Sequence, residues 1–307
     1  MRRDGDNVRE VIDQRSRRRK RAMSSIPTGS VRGFPPLSHL KSAAGTAREP
    51  RDGISVATLD EIEGTTSDLR KRMTNLLRVE TATRIVDVGC GAGTDVIQSA
   101  QIVGETGLVV GVDHDPALLA EAQERARRAG VESQTRFIAA DSSSIPCRTS
   151  CFDAARSERL FQHLSDPIAT LGEMARVTRP GGRIAVADSD WASLSIDTPH
   201  IGIERRIVAA LPTLLRNGYA GRELVRCFRA CALEVVEVEI FPVLWLDYPK
   251  FWRTSFSLPD LETRLVDSGV VSRDELDKFR ESLASAQNEN AFFAHGDMVL
   301  VIGLKQN

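Results

Sequence analysis

The sequence predicts an α/β protein, a Rossmann-like sheet of mostly parallel strands with helices on both faces. Two observations carry this. From Arg84 to Asp188 short β-type runs alternate with helical segments, and parallel strands joined by crossover helices produce that alternation. The run "RIVDVGCGAGTD" (Arg84–Asp95) also passes from strand to helix through Gly89, Gly91 and Gly93, and open α/β sheets bind ligands at such turns. With 307 residues, 41% of them hydrophobic, the chain can bury a substantial core in one large domain or two small ones.

Each element has its own signal. Leu59, Ile62, Leu69, Met73, Leu76 and Leu77 fall near helical spacing and predict a helix over Leu59–Leu77, with Gly64 as a weak point. Arg84–Val88 reads as a strand, Thr94–Ile102 as a helix and Leu108–Val112 as a second strand. Asp115 can cap the next helix, with Pro116 in its first position and Gly130 as its stop. Strands over Thr135–Ala140 and Phe152–Ser157 come next, then a helix over Pro167–Val177. An "RPGG" turn (Arg179–Gly182) leads into strand Arg183–Asp188. Two helices, near Ile201–Arg216 and Gly221–Ala232, precede strand Glu234–Phe241. A largely helical stretch then leads to a last strand, Asp297–Leu304.

Residues 1–50 differ from the rest. The block "RSRRRKR" (Arg15–Arg21) and a Ser-, Pro- and Gly-rich stretch through Pro50 predict a disordered basic tail, with residues 51–307 as the folded domain. Helical lid insertions are expected at about 189–232 and 242–292. The tail's acids, Asp4, Asp6, Glu10 and Asp13, argue against a mitochondrial transit peptide, and no apolar segment follows as a secretory leader would require. No apolar run approaches the ~18 residues of a membrane span. The formal net charge of −1 gives the chain no overall attraction to polyanions, so nucleic acid is not the expected partner. The cysteines, Cys90, Cys147, Cys151, Cys227 and Cys231, read as small buried residues rather than metal ligands, so no metal is expected and the cytoplasm is the default location. The oligomeric state is open, a homodimer included.

The glycine turn does not suit a phosphate. The dinucleotide fingerprint is G-x-G-x-x-G, but here the third glycine comes one residue early and Thr94 takes the sixth position. Asp87, two residues before the first glycine, would repel a pyrophosphate and suits a cation such as an amino acid's ammonium group. Asp113 ends the second strand, where a carboxylate can accept both hydroxyls of a ribose. Asp141 ends the third and can accept from an adenine amino group. An ammonium, a ribose and an adenine without phosphate describe S-adenosylmethionine (SAM).

The motifs carry a family resemblance. "VDVGCGAG" (Val86–Gly93), "VVGVDHDPALLAEA" (Val109–Ala122), "FIAADSSSIP" (Phe137–Pro146), "FDAARSERLFQHLSDP" (Phe152–Pro167) and "RVTRPGGRIAVAD" (Arg176–Asp188) stand in order at matching spacings. The chain resembles the class I SAM-dependent methyltransferases of the ubiquinone/menaquinone-biosynthesis-like group, over about Leu59–Leu304. The resemblance implies seven strands, the last antiparallel, with the cofactor across their carboxyl ends and S-adenosylhomocysteine (SAH) as product. It implies cofactor contacts by Asp87, Gly89, Cys90, Gly91, Gly93, Asp113, His114, Asp141, Ser142, Ser157 and Arg159. The residue after the ribose acid is often apolar in the family; His114 stands there, so its contact with adenine is partly polar or a stack.

Other residues are candidates for the methyl acceptor. His163 is the histidine of the fourth motif and can serve as a general base, orient the acceptor, or simply pack. Glu158 and Arg159 follow the fourth strand and can face cofactor or substrate, or Arg159 can pair with a nearby carboxylate. Asp190 and Trp191 should lie at the mouth of the site, unless they are a turn and a packing residue. Phe241, Trp245, Tyr248, Phe251, Trp252 and Phe256 gather six of the sixteen aromatics in sixteen residues, which suits a lid core, a wall for an apolar substrate, or both. The expected activity is methyl transfer to a small apolar or aromatic metabolite, with secondary metabolism as the expected setting. The alternatives are an RNA methyltransferase using the basic tail, or a SAM-binding cyclase or sensor that transfers no methyl.

Overall fold

A computed structural model describes residues 66–81, 83–255 and 261–306. The tail, the first turns predicted for Leu59–Leu77, and Phe256 lie outside the described residues. The order is α1 (Ser67–Leu77), β1 (Arg84–Val88), α2 (Thr94–Val103), β2 (Leu108–Asp113), α3 (Pro116–Arg128), β3 (Thr135–Ala139), β4 (Phe152–Glu158), α4 (Pro167–Val177) and β5 (Thr178–Ile196). Then come α5 (Ile201–Leu214), α6 (Ala220–Ala230), β6 (Leu233–Trp245), α7 (Tyr248–Ser255), α8 (Leu261–Asp267), α9 (Arg273–Asn288) and β7 (Ala294–Lys305).

The strands form one seven-stranded sheet in the order β3-β2-β1-β4-β5-β7-β6. β1 to β5 are mutually parallel, and β7 runs antiparallel to both β5 and β6. The switch in strand order lies between β1 and β4, where the carboxyl ends open a crevice. The central strands are buried on both faces and read as continuous apolar runs: Ile85, Val86, Val109, Val110, Ile184 and Val186 are fully buried. One core packs β1, β2, β4 and β5 against α4 and α6. Another seats α2 and α3 on the opposite face, through Val96, Ala100, Leu119 and Ala126.

The predicted start of α3 has a physical basis. The Asp115 side chain accepts from the amides of Ala117 and Leu118, and Pro116 opens α3. The RPGG turn lies inside β5 as an outward excursion. Phe152 pairs with Thr178 and Ala154 with Arg183, which leaves residues 179–182 unpaired.

The main departure lies beyond Asp188. β5 continues to Ile196, β6 to Trp245, and β7 begins at Ala294. Their extended halves carry a second core, Leu194, Ile196, Ile207, Leu211, Phe251, Leu276, Phe279 and Phe292, shared with α5 and α7 to α9. The lid insertions are therefore shorter than 189–232 and 242–292. Part of the first is strand, and α6 packs on the sheet. Gly221 makes that possible, since a Cβ there would come within 2.7 Å of the Asp188 carbonyl oxygen. Alternating polar residues in "SDWASLSI" conceal the strand, because one of its faces lines a cavity.

Candidate active site

A cavity of about 250 Å³ opens at the carboxyl ends of β1, β2, β4 and β5 and continues under the second core. One end is lined by Asp87, Gly89 to Ala92, Asp113, His114 and Leu118. The other is lined by Gln162, His163, Asp190, Trp191, Leu194, Val243, Trp245, Ser255 and Met298.

The glycine turn shapes the first end. Gly89, Gly91 and Gly93 all have positive φ, which L side chains rarely adopt. A Cβ on Gly91 would meet nothing within 4 Å, so the backbone leaves open space at the cavity. The Gly91 N–H donates to Asp113 Oδ2 at 2.9 Å, and Asp115 N–H donates to Oδ1 at 3.0 Å. His114 Nδ1 lies 3.2 Å from Oδ1. Burial alone would raise the Asp113 pKa. The bonds from His114, Asp115 and Gly91 outweigh it and hold the carboxyl below its ordinary range. Asp113 is thus an anion with acceptor capacity left for a ligand. Cys90 lines the cavity too, and burial pushes its thiol up, so it stays protonated.

Asp87 belongs to a buried ionic cluster. Arg156, 2% exposed, reaches from β4 to Asp95 Oδ2 at 2.7 Å, to Glu158 Oε2 at 3.5 Å and to Asp87 Oδ1 at 3.6 Å. Arg159 lies 3.5 Å from Glu158, whose Oε1 accepts from the Thr66 hydroxyl at 2.9 Å. Burial raises Asp87 to about 7, against the pull of Arg156, with Asp95, Glu158 and Asp113 raising it further. Glu158 is raised by burial as well. Of this cluster, sequence reasoning singled out Asp87, Glu158 and Arg159. It missed Arg156, Asp95 and Thr66. The strand gave little signal for Arg156, since "FDAARSE" also carries Asp153, Ser157 and Glu158.

The segment after β4 turns at Leu160 and forms a three-residue 3₁₀ turn, Phe161–His163. Asp188, fully buried, holds it: Oδ2 accepts from the Phe161 and Gln162 amides at 2.6 and 3.2 Å, and Oδ1 from Ser189 at 2.8 Å. Gln162 in turn accepts from Trp191 Nε1 at 2.7 Å. Asp190 is gripped by Arg222 at 2.8 and 2.9 Å. His163, Asp190, Trp191 and Trp245 are thereby brought to one cavity with Asp87, Gly89, Cys90, Gly91, Asp113, His114 and Arg159.

Five predicted residues are not brought there. The Ser157 hydroxyl is fully buried and donates to the Val88 carbonyl at 2.8 Å, tying β4 to β1, and it is outside the cavity lining. Gly93 is the N-cap of α2 and faces α3, where a Cβ would come within 2.8 Å of Ala122, and it is outside the cavity lining. Asp141 Oδ1 accepts from Ser143 N–H and its hydroxyl, and Ser142 bonds Thr170 at 2.9 Å; both lie past the edge strand β3, outside the cavity lining. Tyr248 packs into the lid core against Trp252 and Phe292. Among the described residues no His/Cys/Asp/Glu group could hold a metal ion, and no helix is long and apolar enough to cross a membrane.

Comparison with known proteins agrees with this geometry. Residues 80–222 match the model of a family described as Methyltransferase domain. The 27-O-demethylrifamycin SV methyltransferase of Amycolatopsis mediterranei is 31% identical over 132 residues, 43% of this chain and 47% of that protein. The ubiquinone/menaquinone biosynthesis C-methyltransferase UbiE of Azotobacter vinelandii is 30% identical over 130 residues, 42% of this chain and 51% of that one. The chain spans about half the length of the curated relatives it matches. In fold it is similar to the geranyl diphosphate C-methyltransferase of Streptomyces coelicolor A3(2), solved with SAH. The TM-score is 0.51 at 18% identity, covering 81% of this chain and 82% of that one. Over residues 80–222 the chain is therefore similar to methyltransferase domains.

Proposed function

We propose that the chain transfers a methyl group from SAM to a small apolar or aromatic metabolite of secondary metabolism. The observation that carries this is one continuous cavity with two chemistries. A carboxylate and open-backbone end, Asp87, Gly91 and Asp113, adjoins a tryptophan-walled end under the helical lid. The open space at Gly91 and the anionic Asp113 fit the cofactor. In this reading Asp87 holds its ammonium, Asp113 its ribose, and the Gly89–Ala92 backbone lies against it. SAM supplies a methyl carbon already activated by its sulfonium. The protein's work is then to align the acceptor for in-line displacement and to exclude water, as Trp191, Leu194, Trp245 and Met298 do at that end. The unpaired thiols of all five cysteines suit the cytoplasm proposed for it. The relatives' names, a rifamycin and a quinone methyltransferase, support a small acceptor.

The test is SAM labelled in its methyl group, incubated with the protein and a host extract that is then separated into small molecules, RNA and protein. Label in one metabolite supports the reading; label in RNA overturns it.

Two further outcomes are expected. An ammonium binds ionised Asp87, whose carboxyl is raised to about 7 in the ligand-free protein. SAM binding must therefore displace a proton below that pH. Affinity should climb, by at most tenfold per pH unit, between about pH 5 and 7 and then flatten. The ligand-free fold shows the opposite trend. A raised carboxyl favours the neutral form, so its contribution to stability is full below about pH 4 and fades as pH rises through 7. Calorimetry in buffers of different ionisation enthalpy reads the proton, and its absence removes Asp87 as the ammonium partner. For His163→Ala, turnover should fall about 10²-fold or more while SAM affinity stays unchanged. Full activity in single-turnover assays removes it as the base.

A further inference from the structure

Two donors of residues in the acceptor end of the cavity have no acceptor among the described residues. The Trp245 indole Nε1 and the Ser255 hydroxyl are both buried, and neither has a hydrogen-bond partner among the described residues. Ser255 is 6% exposed, and both residues line the cavity. Their neighbours show how unusual this is. Trp191 donates to Gln162 at 2.7 Å. Thr254, one residue before Ser255 on α7, bonds back to the Lys250 carbonyl at 2.8 Å, the ordinary way for a helical hydroxyl to be satisfied. Ser255 does not, although α7 offers it the same geometry. The Trp245 ring is fixed edge-on to Phe251, with centroids 5.4 Å apart, so its indole has little freedom to turn elsewhere. Buried donors of this kind are costly unless something supplies the acceptor.

We propose that Trp245 and Ser255 are the acceptor-recognition pair of this site, and that they bind a neutral oxygen of the carbonyl class on an otherwise apolar molecule. The inference rests on the methyl-transfer reading and names its substrate class. A carbonyl oxygen has two lone pairs and no proton, which matches two donors. An anionic oxygen is disfavoured because the Asp297 carboxylate lines the same end, Asp190 there being already paired with Arg222. The surrounding Leu194, Val243 and Met298 bind the apolar body and give the carbonyl its discriminating weight. A site built around hydrogen bonding rejects an isostere that lacks the partner more strongly than a greasy pocket rejects a missing methylene.

The test uses the full chain loaded with SAH and two isosteric probes, 2-acetylnaphthalene and 2-isopropenylnaphthalene, which differ by C=O against C=CH₂. The three tryptophans give three indole N–H signals in ¹⁵N-labelled protein, and Trp245→Phe identifies one of them. The ketone should move the Trp245 indole proton downfield and bind about tenfold tighter than the alkene. Trp245→Phe and Ser255→Ala should each shrink that preference several-fold, with SAH affinity unchanged. Equal affinity for the two probes, binding of neither, or an unmoved indole signal overturns the proposal. SAH affinity is measured separately by calorimetry. Its absence strikes the methyl-transfer reading, and the same titration on ligand-free protein still decides the pair.

Discussion

Arg156→Leu should destabilise the fold by about 3–5 kcal/mol, the range for removing one partner from a buried ionic network. The guanidinium is 2% exposed and stands among Asp87, Asp95 and Glu158. Without it, Asp87 and Asp95 lose their nearest guanidinium: Arg70 Nε lies 3.9 Å from Asp95, while Arg159, 3.5 Å from Glu158, still serves that carboxylate. For a domain of this size the loss corresponds to roughly 10 °C in Tm. The effect carries its own pH signature. Asp87 and Glu158 have raised pKa values, so acidification neutralises them. The penalty in the variant should be smaller at pH 5 than at pH 8. Arg156→Lys, which keeps a charge but not the planar fork, should fall between the two. Thermal unfolding of the three proteins across that range is the measurement. A leucine variant as stable as the parent at pH 8 would show that the cluster contributes nothing.

The contrast between Asp113 and Arg156 shows what the sequence makes legible. Asp113 ends a strand at a fixed distance from a glycine turn, so local pattern alone locates it at the carboxyl edge of the sheet. Arg156 lies inside a strand, Phe152–Glu158, that also carries Asp153, Ser157 and Glu158, so no local pattern singles it out. Its partners, Asp87 on β1, Asp95 on α2 and Glu158 on its own strand, meet only after β1 and β4 pair. The same reasoning explains the lid. Strands β1 and β2 and the first half of β5 have nearly continuous apolar runs because both faces are covered. The upper half of β5 has one face in a cavity, so its pattern breaks and it reads as a loop. Ser157 lies off the cavity for a related reason. Its place in a motif beside the site says nothing about which face of β4 it takes, and that face is the closed one. Asp141 and Ser142 sit beyond β3, where the described geometry follows the local turn and the helix α4 rather than the crevice.

For Asp113→Ala, SAM affinity should fall about a hundredfold or more. Two hydrogen bonds to a charged acceptor, each worth about 1.5–3 kcal/mol, would be lost with the ribose hydroxyls. The Gly91 and Asp115 amides lose their acceptor as well, so the glycine turn relaxes away from the shape that the carboxylate imposes. Asp113→Asn retains one carbonyl oxygen and should lose less. A second ligand separates this role from that of Asp87. Methylthioadenosine has the adenine and ribose of SAM but no ammonium group. Asp113→Ala should weaken it in nearly the same proportion as SAM, whereas Asp87→Asn should weaken SAM and leave methylthioadenosine almost unchanged. Calorimetry with both ligands on both variants gives four affinities. If Asp113→Ala leaves methylthioadenosine binding intact, Asp113 is a brace for the turn and the ribose lies elsewhere. If both variants weaken both ligands alike, the two carboxylates act through the shape of the Val88–Gly93 turn and neither assignment survives.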